Sequence, residues 1–262
     1  MGNEACGVVA LNTFREAVRD RVLYNLLFFA LVMMAASIIA GQISIGIEET
    51  VIATLGLSAI SLIGLLIAIF IGVGLVAKEM DKRTLYALLA KPVRRWEFLL
   101  GKFGGLILTL ALNTAAMGVG LFLALVYVKP TLERGDATVF VAVYFIWLKL
   151  ALVVALALLF SCFTTPLLAI LFTAGIYIVG LYVQELRNMP LQVEKMSPGM
   201  TVFTKWLSYL LPNFENFNIT AMAAHGRPIP GALIAQNTLY AAVYCAILLT
   251  AAVLVFSRRN LK

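Results

Sequence analysis

Five stretches of this chain contain no Asp, Glu, Lys or Arg at all: Val22 to Ile47, Thr50 to Ala77, Phe103 to Val128, Leu150 to Gln184 and Pro228 to Ser257. A helix that crosses roughly 30 Å of hydrocarbon needs about 20 consecutive apolar residues, and a water-soluble domain has no use for runs of this length. The fourth stretch is too long for one span and too short for two. Extending it backwards over Ala137 to Leu148 supplies a helix near 138–160, and Pro166 then opens another, since proline is tolerated in a first helical turn. The expectation is an all-α integral membrane fold with six transmembrane helices, at about 22–43, 53–77, 103–127, 138–160, 166–184 and 232–256, in one domain over 1–262. The first stretch far exceeds the 7–15 apolar residues of a signal-peptide core, so it reads as a span.

Apolar residues make up 62% and charged residues 13% of the sequence, which leaves the few charges to report orientation. Arg15, Arg19 and Arg21 precede the first span, and Lys78, Lys82, Arg83, Lys91, Arg94, Arg95 and Lys102 lie between the second and third. With the tail, one side carries 13 cations and the other six. Basic loops stay in the cytoplasm, so both termini and the 78–102 loop are expected there. These cations flank span ends, where anionic lipid accounts for the net charge of +7 without any nucleic acid.

Three segments outside the spans carry pattern. In 11–21, Leu11, Phe14, Val18 and Val22 recur at three or four positions, with Arg15, Glu16, Arg19 and Asp20 opposite. This predicts an amphipathic helix on the inner membrane surface. In loop 78–102, Thr84 to Ala90 predicts a short helix with an apolar face, stopped by Pro92. The outer segment 185–231 holds Lys205 to Pro212, whose Trp206 and Tyr209 suit a lipid interface.

Enzyme chemistry is missing. The proposed spans contain no carboxylate, the lone histidine His225 has no neighbouring ligand for a metal, and no H-E-x-x-H or G-x-S-x-G occurs. Gly101-Lys102 is followed by Phe103 and lacks the glycine five positions earlier that a phosphate-binding loop requires, so ATP hydrolysis would fall to another chain. Lys149 stands apart as the one ionisable residue inside a proposed span. Either its stem snorkels to the outer surface, or it faces a polar cleft between subunits and meets an anionic part of a substrate. The pairs Gly101/Gly105 and Ala116/Gly120 allow close helix approach without naming a partner.

The loop from Glu79 through Thr84-Leu85, Leu88-Leu89, Pro92 and Arg94 to Gly101-Lys102 resembles that of the ABC type-two exporter permeases, as do the helix before the first span, Leu211-Pro212-Asn213-Phe214 and the Phe256-Ser-Arg-Arg ending. Arg83 stands where that family usually has glycine. The resemblance implies a permease domain in the inner membrane of a prokaryote, with Arg83, Thr84, Leu85, Leu88, Leu89, Lys91, Pro92 and Arg94 forming a coupling helix. Phe14, Arg15 and Arg19 of the surface helix would face the same partners, two ATP-binding subunits that supply ATP and Mg. A second permease copy, as a homodimer, completes the expected assembly. Spans lined by Leu, Ile, Val, Phe and Ala favour an amphipathic or lipid-linked cargo, with Lys149 as a candidate on its path. The alternative is a non-transporting scaffold whose outer segment recruits a periplasmic protein.

Overall fold

The computed structural model describes residues 2–19, 21–44, 46–81, 95–128, 137–192 and 198–258. Within them the chain is helical: α1 (Gly2–Val18), α2 (Arg21–Ile43), α3 (Glu48–Asp81), α4 (Arg95–Val128), α5 (Thr138–Ser161), α6 (Pro166–Leu181), α7 (Val183–Gln192), α8 (Pro198–Leu210), α9 (Thr220–Ala224) and α10 (Gly231–Arg258). Four of these are long and apolar enough to cross a bilayer: 48–74 of α3, 96–128 of α4, α5, and 231–257 of α10. α2, with 23 residues, and α6, with 16, are further apolar helices.

α5 sits at the centre, apolar all round and buried on nearly every side, as a helix without a polar face must be. α3, α4, α6 and α10 surround it. α3 can lie close because Gly64 faces Leu150 and Gly72 faces Ala157; a β-carbon at Gly64 would come 2.5 Å from Leu150 Cδ1. α6 presents Ala169, Thr173, Tyr177 and Gly180 inward and leaves Leu167, Leu171, Phe172 and Ile178 exposed. α10 likewise exposes Leu239, Val243, Ile247 and Leu254. α2 turns into α3 through Gly46, whose φ of 86° lies in the left-handed region that glycine adopts without a Cβ penalty.

Both ends of the described chain lie at one end of the bundle, the near end. There Phe98 at the start of α4 stacks on Phe256 at the end of α10, and Val9 of α1 packs into the same cluster. The far end holds the starts of α3, α5 and α10 and the segment 211–224.

Several expected boundaries move. α1 starts at Gly2 and stops at Val18, instead of covering 11–21. Among the α1 side chains that the structure describes, Thr13 and Ala17 are buried and Leu11 is 48% exposed, so the buried face is displaced from the one expected. The cause is the partner surface: Gly101 and Gly105 of α4 offer a shallow groove that small side chains fill better than leucine. α3 and α4 also run on beyond the predicted spans, which draws Lys102 out of the 78–102 loop and into a helix. The helix expected over 166–184 ends at Leu181, because Phe214 N donates to Gly180 O (3.0 Å) and Pro212 and Phe214 press on Gly180. At about 1.5 Å per residue, α6 is then some 24 Å long.

The described segment 198–224 divides in two. α8 exposes Val202, Trp206, Tyr209 and Leu210, among them the two aromatic residues that suit a lipid interface. The stretch after Pro212, by contrast, enters the protein core: Phe214 and Phe217 are essentially inaccessible.

Candidate functional site

The far half of the bundle encloses a cation. Lys149 lies halfway along α5 and is only 6% exposed. Its ammonium donates to Ser61 Oγ of α3 at 2.6 Å and lies 6.0 Å from the centre of the Tyr177 ring of α6. Ser61 also interacts with the Tyr177 side chain. Three helices therefore meet at one charge. Lys149 does not snorkel to the surface; among the described residues it meets Ser61 and Tyr177.

An aromatic cap covers this cluster. Phe214 packs on Tyr177 with ring centres 5.0 Å apart, and Phe217 meets Phe145 at 6.5 Å and Tyr240 at 6.0 Å. Between the two phenylalanines a 3-10 turn, Glu215–Phe217, carries the carboxylate of Glu215, whose Oε1 accepts from Asn218 Nδ2 at 3.0 Å. Polar groups hold the turn in place. Asn213 N donates to Tyr240 Oη (2.8 Å), Asn213 Nδ2 donates to Gln184 Oε1 (3.2 Å) and to Asn216 Oδ1 (3.1 Å), and Asn237 Nδ2 donates to Asn216 O (2.8 Å). Asn213 Oδ1 in turn accepts from Glu215 N (3.1 Å), the local side-chain-to-backbone bond by which asparagine builds turns. Buried backbone that leaves a helix must find partners, and this asparagine-rich stretch supplies them.

A second built feature lies at the near end. α1 lies along α4 so closely that a β-carbon on Gly105 would come 2.5 Å from Ala10 O and 2.6 Å from Thr13 Cβ. On Gly101 it would come 2.7 Å from Val9 Cβ. Beside this contact Lys102, almost wholly buried, places Nζ 3.6 Å from Glu16 Oε2 and 5.8 Å from the Phe98 ring centre. The Gly101/Gly105 pair thus packs a helix of the same chain.

Of the residues predicted to act, Lys149 is central to the first feature. Arg15 is exposed on α1 and Arg19 is exposed just beyond its end, and Phe14 is half-buried. Arg83, Thr84, Leu85, Leu88, Leu89, Lys91, Pro92 and Arg94 lie outside the described residues. Among the described residues no cluster of His, Cys, Asp or Glu could hold a metal ion. Sequence reasoning missed Ser61, Tyr177 and Glu215. Nothing marks Ser61 in an apolar run, whereas Glu215 could have been noticed as a lone acid inside Asn213-Phe-Glu-Asn-Phe217.

Residues 8–261 match the family model described as ABC-2 family transporter protein. The chain belongs to the ABC-2 transporter family. A search of the curated proteins finds no match. As an ABC-2 protein the chain is a transport component of the membrane, a permease, and is not itself catalytic. Its apolar helices are those of an integral membrane protein.

Proposed function

We propose that this ABC-2 permease is the membrane half of an ATP-driven exporter, working with two separate ATP-binding subunits and a second copy of itself. On this reading α2 and α6 also cross the bilayer, giving six spans, and the near end faces the cytoplasm of a prokaryote, because the basic residues crowd there. ATP and Mg bind the partner subunits. Residues 83–94 couple to those subunits, with Leu88 and Leu89 in a partner groove, and Arg15 and Arg19 face the same way.

The observation that carries the proposal is the interlock of α1 with α4. Two helices joined at Gly101 and Gly105 with backbone-to-backbone closeness, and tied by a buried charge to Glu16, move as one body. Force applied to the near end would therefore pass directly into a long membrane helix instead of being lost in a loose surface helix. Rocking that helix against α5 is a rigid-body route between inward- and outward-facing states. The cargo that suits the apolar bundle is amphipathic or lipid-linked.

Affinity purification of the full chain in mild detergent, followed by identification of bound subunits, tests the assignment. ATP-binding subunits should co-purify, and ATP hydrolysis by the complex should drive outward movement of the cargo in vesicles. Recovery of a periplasmic protein with no ATPase would turn the reading to a scaffold.

A further inference from the structure

α10 carries an open groove on the outer side of the bundle. Ala242, Ala246, Leu249 and Val253 fall on one stripe of α10, at the three- and four-residue spacing of a single helix face, and Leu100 and Phe103 of α4 form the opposite wall. The groove measures about 550 Å³. Ala242 and Ala246 are exposed in it, so two methyl groups stand where larger side chains would close the space. Thr250 brings the one hydroxyl of the lining, and its Oγ1 already donates to Ala246 O at 2.7 Å. Walls of this kind suit hydrocarbon and offer a polar ligand almost nothing.

Dimensions separate an acyl chain from a protein helix as the occupant. From Ala242 to Leu254 the groove runs about 18 Å along α10 at 1.5 Å per residue. That is close to half of the roughly 30 Å hydrocarbon core, the depth of a single leaflet. A spanning helix from a second copy would need a groove of the full depth. The groove lies toward the near end, where Phe98 of α4 stacks on Phe256 of α10, so the leaflet concerned is the one at that end.

The near mouth of the groove has what a phospholipid headgroup requires. Trp96 lies one turn before Leu100 on the same face of α4 and is 40% exposed, and an exposed tryptophan at a span end marks the headgroup level. α10 ends at Arg258, one turn beyond Leu254, and α4 begins at Arg95. Two arginine positions thus bracket the level at which a phosphate would sit, while Glu97, the acid of the first turn of α4, is buried.

We propose that this groove binds one phospholipid with an anionic headgroup, its acyl chain laid between α4 and α10 in the near leaflet and its phosphate at the level of Trp96, Arg95 and Arg258. The proposal goes beyond the transport reading and does not involve Lys149; it requires only that these helices span the bilayer. Ile247 is also exposed on α10 but lies outside the groove, and there the surrounding bilayer has no concavity to enter. A chain in the groove touches both helices at once, and so ties α10 to α4 beyond the stack of Phe98 on Phe256.

The test uses the full chain in nanodiscs of phosphatidylcholine doped with a phosphatidylglycerol that carries a photoactivatable diazirine in its acyl chain, with cross-linked residues mapped by peptide mass spectrometry. Labelling should concentrate on 242–254 of α10 and 100–103 of α4, saturate, and yield to unlabelled phosphatidylglycerol but not to the surrounding phosphatidylcholine. Ala246→Trp, which fills the groove, should lower that labelling about tenfold or more, the worth of a few displaced methylenes. Ile247→Trp, the same change beside the groove, should leave it. Should Ala246→Trp fail to fold, Ala246→Leu gives the same reading with a smaller reduction. Arg95→Gln with Arg258→Gln should cut the preference for phosphatidylglycerol over phosphatidylcholine about tenfold.

Labelling spread evenly over the exposed residues of α10, or unchanged in the Ala246 variants, overturns the site and leaves ordinary bilayer lipid. An unchanged preference in the double arginine variant overturns the headgroup assignment. Conversion of a dimer to monomers by Ala246→Trp, followed by light scattering in detergent, would make the groove a contact between copies and overturn the lipid. None of these readings involves the ATP-binding subunits, so their association and this site stand or fall separately.

Discussion

Lys102 of α4 and Glu16 of α1 meet at 3.6 Å with the lysine 1% and the glutamate 39% exposed. Removing one partner of a wholly buried pair costs about 3–5 kcal/mol, because the other charge remains without compensation. The access of Glu16 to solvent reduces that to about 1–2 kcal/mol here. The two partners are not equivalent. Glu16→Leu takes a carboxylate away from a buried ammonium, whereas Lys102→Met removes the charge and keeps the packing of its stem. In detergent, Glu16→Leu should therefore lower the melting temperature more than Lys102→Met, and the double variant should recover most of the difference. Equal losses in the two single variants would mean that the pair does not decide how α1 is held.

Gly105 and Gly104 are neighbours with opposite prospects. A methyl at 105 meets the backbone oxygen of Ala10 at 2.5 Å, and one at 104 meets only Ala10 Cβ at 3.7 Å. Overpacking against backbone costs about 1–3 kcal/mol, while a substitution away from such contacts stays within about 0.5 kcal/mol. Gly105→Ala should expose the amides of 2–18 to hydrogen exchange, and Gly104→Ala should leave them protected.

The assignment of residues 83–94 to the ATPase interface makes a separate demand. Each leucine of the Leu88-Leu89 pair contributes about 1.5–3 kcal/mol when fully buried, and the membrane helices do not depend on it. Leu88→Asp with Leu89→Asp should leave insertion intact and strip the ATP-binding subunits during purification. Arg94→Ala should matter less, since a positive charge there already follows from the positive-inside bias. Retained subunits and normal transport in the double aspartate variant would remove this segment from the coupling mechanism.

Orientation is open to a direct measurement. On a background lacking Cys6, Cys162 and Cys245, an impermeant maleimide applied to intact cells should label Lys195→Cys and spare Arg94→Cys. The reverse pattern would invert the protein and end the exporter assignment with it.

Much of the bundle is legible along the chain. A bilayer demands apolar length, and length is a local property, so the runs beginning at Thr50, Phe103 and Pro228 each become a helix that can cross a bilayer. Lys149 is conspicuous for the same reason, as a charge where the solvent is hydrocarbon. The direction of α1 was less accessible, because choosing the largest apolar residues as the buried face fails when the partner is a glycine groove. Leu11 stays half out and Thr13 goes in.

The amino-acid order by itself determined which segments can leave water and that one cation would have to leave with them. Only the tertiary structure decided what that cation would face. Ser61 and Tyr177 come from two separate parts of the chain, and they converge on Lys149 because Gly64 lets α3 approach α5, while Gly180 admits Phe214 against Tyr177 of α6. Partition into a membrane depends on each segment's own side chains, whereas the pairing of a buried charge depends on how closely and at what rotation distant helices pack.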